Sequence, residues 1–257
     1  MGDVISNNQT AIQTFVLAEA DDALIYGQRL TEWSYSAPYL EEDLALSNVA
    51  LDYLGRANNY YEYASELDPA GRTVDQLAML RDSREFTNLL IHELPIGDFA
   101  FTMARQFILD SFYIEYLDVM QHSTDQQIAA ISAKSVKEAQ YHVRRSREWI
   151  LRLGDGTEES HVRLQNALNE LWGYTPELFL QSSAETELLA SKVSVDRSQL
   201  KPAWDKRVDA VLEEASLSRP EVSWQVSGGR DGIHTETHGF LLAEMQHLQR
   251  AYPGLKW

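Results

Sequence analysis

The sequence predicts an all-α fold, a bundle of long helices with additional helices toward the C-terminus. Three observations predict it. Apolar residues recur at helical spacing through most of the chain, whereas strand-like alternation is scarcely visible. Four periodic segments run to roughly 24 to 30 residues each, long for globular helices in general but normal for a large bundle. Turn residues separate them, at Pro38, at Pro69 with Gly71, at Pro95 with Gly97, and at Gly154 with Gly156.

The first segment spans about Thr10 to Ser36. The second opens on Glu41-Glu42-Asp43, acidic residues that suit the positive end of a helix dipole, and runs to about Leu67. A shorter helix with a break covers about Thr73 to Glu93. The third long segment covers Asp98 to about His122. The fourth follows the capping residues Ser123-Thr124-Asp125 and stops at Gly154-Asp155-Gly156. Smaller helices are expected at about Glu158 to Trp172, Pro176 to Leu180, Asp196 to Leu217 and Gly239 to Tyr252, with an irregular stretch from Arg219 to His238. No flexible linker or fixed-period repeat is visible. Residues 1–257 therefore read as one domain, with a bundle core over about 10–153 and a helical extension over about 157–257.

At 257 residues, 44% of them hydrophobic, the chain can bury a sizeable core. It carries 22 Lys and Arg against 39 Asp and Glu, a net charge of −17. That balance repels phosphate backbones and anionic membranes, so neither nucleic acid nor membrane is an expected partner; a protein with a basic patch is. The absence of cysteine excludes disulfides, thiolate catalysis and thiolate-held iron–sulfur clusters. No apolar run approaches the ~20 residues needed to span a bilayer, and no secretory leader is visible, so the expectation is a cytoplasmic protein.

Polar residues inside the bundle carry the functional argument. Asp22, Asp52, Asp110 and Glu138 fall among packing residues on the four successive long segments. A ferritin-like carboxylate centre takes one carboxylate from each of two helices and a Glu-x-x-His pair from each of the other two. The places where the two histidines should fall are Gly55, three after Asp52, and Tyr141, three after Glu138. Glycine supplies no ligand. Tyr141 could bind iron as phenolate, but the imidazole of His142 comes one residue late, rotated by ~100°. A buried carboxylate without a metal needs a cation, several donors or a proton. Arg29, Arg56, Arg105 and Lys134 are the cations at hand, Lys134 lying one turn before Glu138. The expected set of catalytic, metal-binding and cofactor-binding residues is therefore empty, with the four carboxylates as vestiges. Two literal Glu-x-x-His matches, Glu158 with His161 and Glu244 with His247, read as surface or packing patterns. His234-x-Glu236-x-His238, with Asp231, could form a metal site on a loop, but reads first as a hydrogen-bonded loop knot.

Five stretches then carry a family resemblance: QRLTEW from Gln28, DLALSNVALDYLG from Asp43, ARQFILD from Ala104, AISAKSVKEAQYHVRRSREWILRLGDGT from Ala130, and HTETHGFLLAEMQHLQRAYPGLKW from His234. In order and nearly end to end, they resemble the structural subunits of bacterial phenylacetyl-CoA epoxidases. The resemblance implies a ferritin-like, long-helix subunit that pairs with a catalytic di-iron subunit in phenylacetate catabolism and has no metal centre of its own. It further implies that the partner epoxidises the ring of phenylacetyl-CoA with molecular oxygen. A reductase subunit with FAD and an iron–sulfur centre would supply electrons from NADPH, touching this chain only indirectly; self-association is also open. Two other readings compete. An active di-iron oxygenase or oxidase would use Asp52, Asp110, Glu138 and His142, and a ferritin-like storage protein would need a nucleating ligand set the sequence does not offer.

Overall fold

The computed structural model describes residues 2–221 and 223–255, and no strand occurs among them. In chain order the α-helices are α1 (Gly2–Thr31), α2 (Leu40–Leu67), α3 (Val74–Met79), α4 (Leu90–Glu93), α5 (Phe99–Met120) and α6 (Gln126–Gly154). Beyond them come α7 (Glu158–Leu171), α8 (Ser183–Leu188), α9 (Lys201–Glu214), α10 (Glu236–Met245) and α11 (His247–Ala251). Short 3-10 turns lie at Ser83–Glu85, Trp172–Phe179, Arg197–Leu200 and Gly229–Asp231. Three of the four long helices fall close to where the periodicity puts them, while the first begins at Gly2, ahead of Thr10. The first stops at Thr31, short of Ser36, because the chain turns through Tyr35, whose backbone is left-handed at φ 68°. Helix α8 was not legible as periodicity. Its signal is the Ser182-x-x-Glu185 capping box, in which each side chain bonds the other residue's backbone N–H.

The chain divides into two compact units. One comprises the residues up to Pro95, Ser182–Ala190, and those from Gly228 on. Its frame is the hairpin of α1 and α2. Gln13 bonds Asp68, Tyr61 bonds Asp21, and Tyr26 meets Tyr53 edge-on at 4.9 Å. As one partner advances along α1 the other retreats along α2, the mark of an antiparallel pair. Helix α8 packs on α1, and α10 packs on α4 and on the 3-10 turn at Ser83–Glu85. Residues 228–255 thus belong to the body of this unit rather than to an appendix.

The other unit comprises Ile96–Gln181 and Ser191–Ser227. Helix α5 is its centre, packed on α6, α7 and α9. The Asp98 side chain caps α5 through the Phe101 N–H, and Asp125 caps α6 through Gln127 N–H and Ile128 N–H. Of the 22 residues of α5, 17 are buried, while Phe99 and Ile114 are half-exposed. A helix apolar on every side is surrounded, and periodicity cannot assign it a face. Trp204 of α9 is 1% exposed and donates from Nε1 to the Ile108 carbonyl, joining α9 to the middle of α5. The buried guanidinium of Arg197 lies 4.8 Å from the Tyr116 ring, so its charge is held against an aromatic face. Among the described residues no helix is long and apolar enough to cross a membrane.

Candidate functional site

Of the four carboxylates, Asp22 and Asp52 belong to the first unit and Asp110 and Glu138 to the second. Asp22 is 1% exposed. Its oxygens accept from Arg230 Nη2 at 2.6 Å, Arg230 Nη1 at 3.0 Å and the Leu89 N–H at 2.7 Å. This fork-on-carboxylate pair gives Asp22 the cation that burial demands. The expected cation was a helical neighbour, and that expectation is corrected. Arg29 is committed to Glu32 at 2.7 Å and to the Glu93 carbonyl at 2.9 Å. Arg230 lies 208 residues from Asp22, a pairing that no helical spacing can show.

The glycines around Arg230 explain how it arrives. A Cβ on Gly229 would sit 2.2 Å from the Asn88 carbonyl oxygen, and one on Gly232 would sit 2.4 Å from the Arg84 carbonyl oxygen. Gly232 also has φ +71°, where a side chain is strained. Only glycines let this loop lie directly on the 84–88 backbone.

Asp52 is half-buried, and Arg56, one turn on, holds its guanidinium 4.5 Å over the Tyr53 ring. At Gly55 an added Cβ would meet nothing within 4 Å, so the backbone does not forbid the missing imidazole. Asp110 is 1% exposed. Glu138 was expected to point fully inward. Its side chain is 24% exposed, with Lys134 Nζ 4.0 Å away and 62% exposed. Tyr141 is 42% exposed, whereas His142 is buried. A di-iron set does not fit these residues. Asp22 is saturated by a guanidinium and an amide, Gly55 offers no donor, and Tyr141 stands at the surface.

The sequence reading missed the polar heart of the first unit. Asp21, 0% exposed, pairs with Arg81 and accepts from the Tyr61 hydroxyl at 2.6 Å and the Thr87 N–H at 2.9 Å. Burial, reinforced by Asp21, pushes the Tyr61 hydroxyl well above its ordinary value, so it stays a neutral donor. Asp21 adjoins Asp22, and the doublet Asp21-Asp22 inside an apolar run was the available signal.

A second cluster joins α4 to the start of α10. Glu93, 0% exposed, accepts from the Thr235 N–H at 2.5 Å and from Asn88 Nδ2 at 2.9 Å, and meets His234 Nδ1 at 2.7 Å. His234 Nε2 reaches the Phe86 carbonyl at 2.9 Å. The His238 ring stacks on His234 at 3.9 Å with 14° between planes, and its Nδ1 meets Ser83 Oγ at 2.8 Å. Burial alone would lower His234, but its bond to Glu93 outweighs that and raises it. Burial and the neighbouring His234 push His238 down to about 4. The acid partner is thus Glu93, 141 residues from His234, and not Glu236, which is exposed.

The long helices, with no strand among the described residues, define an all-helical protein of the ferritin-like class. The chain belongs to the phenylacetic acid catabolic protein family, whose model matches residues 3–257. It is 45% identical over 246 residues to the C subunit of the 1,2-phenylacetyl-CoA epoxidase of Escherichia coli (strain K12), across 96% of this chain and 99% of that protein.

Proposed function

We propose that this chain is the C-type subunit of a phenylacetyl-CoA epoxidase, serving phenylacetate catabolism as a structural subunit without an active site of its own. The observation that carries the reading is the 45% identity to the Escherichia coli epoxidase protein, sustained across 96% of the chain. The carboxylate positions support it. Asp22 is held by Arg230, Glu138 stands beside Lys134, and Gly55 and Tyr141 replace the histidines that iron would need. On this reading the partner is a catalytic subunit that carries the di-iron centre and epoxidises the aromatic ring with oxygen. Electrons reach it from NADPH through a reductase subunit with FAD and an iron–sulfur centre. This chain supplies helix faces for assembly and holds none of those cofactors.

Reconstitution tests the proposal. This chain and its cognate catalytic subunit, purified apart, should assemble on mixing, with the coupled di-iron signal confined to the partner. Ring epoxidation should appear only in the assembled complex. Two tightly bound irons in this chain alone, or no assembly under any salt condition, would overturn it.

A further inference from the structure

We infer that Glu93, His234 and His238 form a binding site for a single divalent transition-metal ion of the zinc class. The site is separate from the vestigial carboxylates and does not depend on the epoxidase reading. One donor atom from each residue lies within 4.8 Å of the others. Two imidazoles and one carboxylate are a ligand set that zinc-class ions accept, leaving one position open.

The partners around the three residues decide which atoms face the ion. A metal-bound imidazole characteristically donates its other N–H to a carbonyl or similar acceptor, which fixes tautomer and orientation. His234 Nε2 has such an acceptor in the Phe86 carbonyl at 2.9 Å, leaving Nδ1 toward Glu93. His238 Nδ1 is held by Ser83 Oγ at 2.8 Å. That leaves His238 Nε2 buried, with no hydrogen-bond partner among the described residues, on a side chain that is 0% exposed. Glu93 is itself oriented by Asn88 Nδ2 and the Thr235 N–H. All three ligands are thus braced from behind before any ion arrives.

The His234 Nδ1–Glu93 contact at 2.7 Å stands where the ion would bind, and the ion replaces it, bonding Nδ1, His238 Nε2 and a Glu93 oxygen. Stacked rings cannot aim both lone pairs at one point, so binding must splay them from their present 14°. A groove of about 690 Å³, lined by Ser83, Arg84, Asp231, His234 and Glu236 among others, opens beside His234. The ion would tie the 228–238 segment to α4.

The test uses the full chain, stripped with a chelator and titrated with Zn²⁺ and, separately, Co²⁺. We expect one ion per chain and, with Co²⁺, visible absorption of tetrahedral intensity. Ser83→Ala should weaken binding about 10- to 100-fold, as loss of an orienting partner does. His238→Asn should abolish it, and Glu236→Gln should bind like the wild type. Nitrogen-15 spectra of wild-type imidazoles need no variant to fold: Zn²⁺ should shift His238 Nε2 and His234 Nδ1. Absence of stoichiometric uptake, unshifted imidazole nitrogens, or unchanged binding in His238→Asn would overturn the site and leave a hydrogen-bonded knot of Glu93, His234 and His238.

Discussion

At the scale of the residue, the first unit depends on charges that no helix face supplies. Arg230 is the counter-ion of Asp22, whose side chain is buried while that of Arg230 is 11% exposed. Breaking a buried pair from one side typically costs about 3–5 kcal/mol, whereas replacing both partners with packed apolar groups can be neutral. Arg230→Met should therefore lower the urea midpoint sharply, and the double change with Asp22→Leu should recover much of the loss. Equal destabilisation by the double change would show that Arg230 acts by packing alone. Two histidines set an acid limit. Burial pushes His92 down to about 4 despite Asp22 beside it, and His238 in the metal-free protein falls to about 4 as well. An unfolded histidine titrates near roughly 6.5. As pH falls from there toward 4, the unfolded chain binds protons that the folded chain refuses. Stability then drops by up to about 1.4 kcal/mol per pH unit for each such histidine. His234, raised by Glu93, has the opposite sign: its contribution is complete below the unfolded value and fades as pH rises through the folded one. Urea midpoints of chelator-treated protein between pH 4 and 8 should decline on the acid side. A flat profile there would exclude buried neutral His92.

At the scale of the element, two glycines that look alike in sequence have opposite expectations. Gly55 sits inside α2 with open space around its missing Cβ. Gly55→Ala should stabilise the isolated chain by about 0.5–1 kcal/mol, the usual helix-interior difference. Gly229 lies on the Asn88 carbonyl, so Gly229→Ala must push the loop away and should cost about 1–3 kcal/mol, as overpacking does. Thermal unfolding of both variants checks the pair. In the second unit, Trp204 ties α9 to the buried middle of α5. Trp204→Ala should cost about 3–5 kcal/mol through lost packing.

At the scale of the whole molecule, the net charge of −17 governs encounters. Association with a basic partner surface should slow as ionic strength rises, since screening shortens the reach of the field to about 8 Å at physiological salt. Burial of apolar helix faces should keep the formed complex together at moderate salt. Stopped-flow association rates against salt would read the first effect and equilibrium sedimentation the second. A rate indifferent to salt would remove charge from the account of assembly.

The sequence by itself determined the all-helical class, the positions of the long helices and the residues, Gly55 and Tyr141, that stand three after Asp52 and Glu138. These are local properties: periodicity, capping residues and the identity of residues three apart on one helix. Glu138 with Lys134 was legible for the same reason, one helical turn being all the information it needs. Tertiary structure alone decided that Arg230 serves Asp22, that Glu93 serves His234, and that α5 is enclosed rather than amphipathic. Each joins residues far apart in the chain, or depends on how many neighbours surround a helix, and spacing on a single element encodes neither. The glycines at 229 and 232 show the boundary well. Their sequence marks an irregular loop, but that the loop must lie on the 84–88 backbone, carrying a guanidinium to a buried carboxylate, follows only from the packed chain.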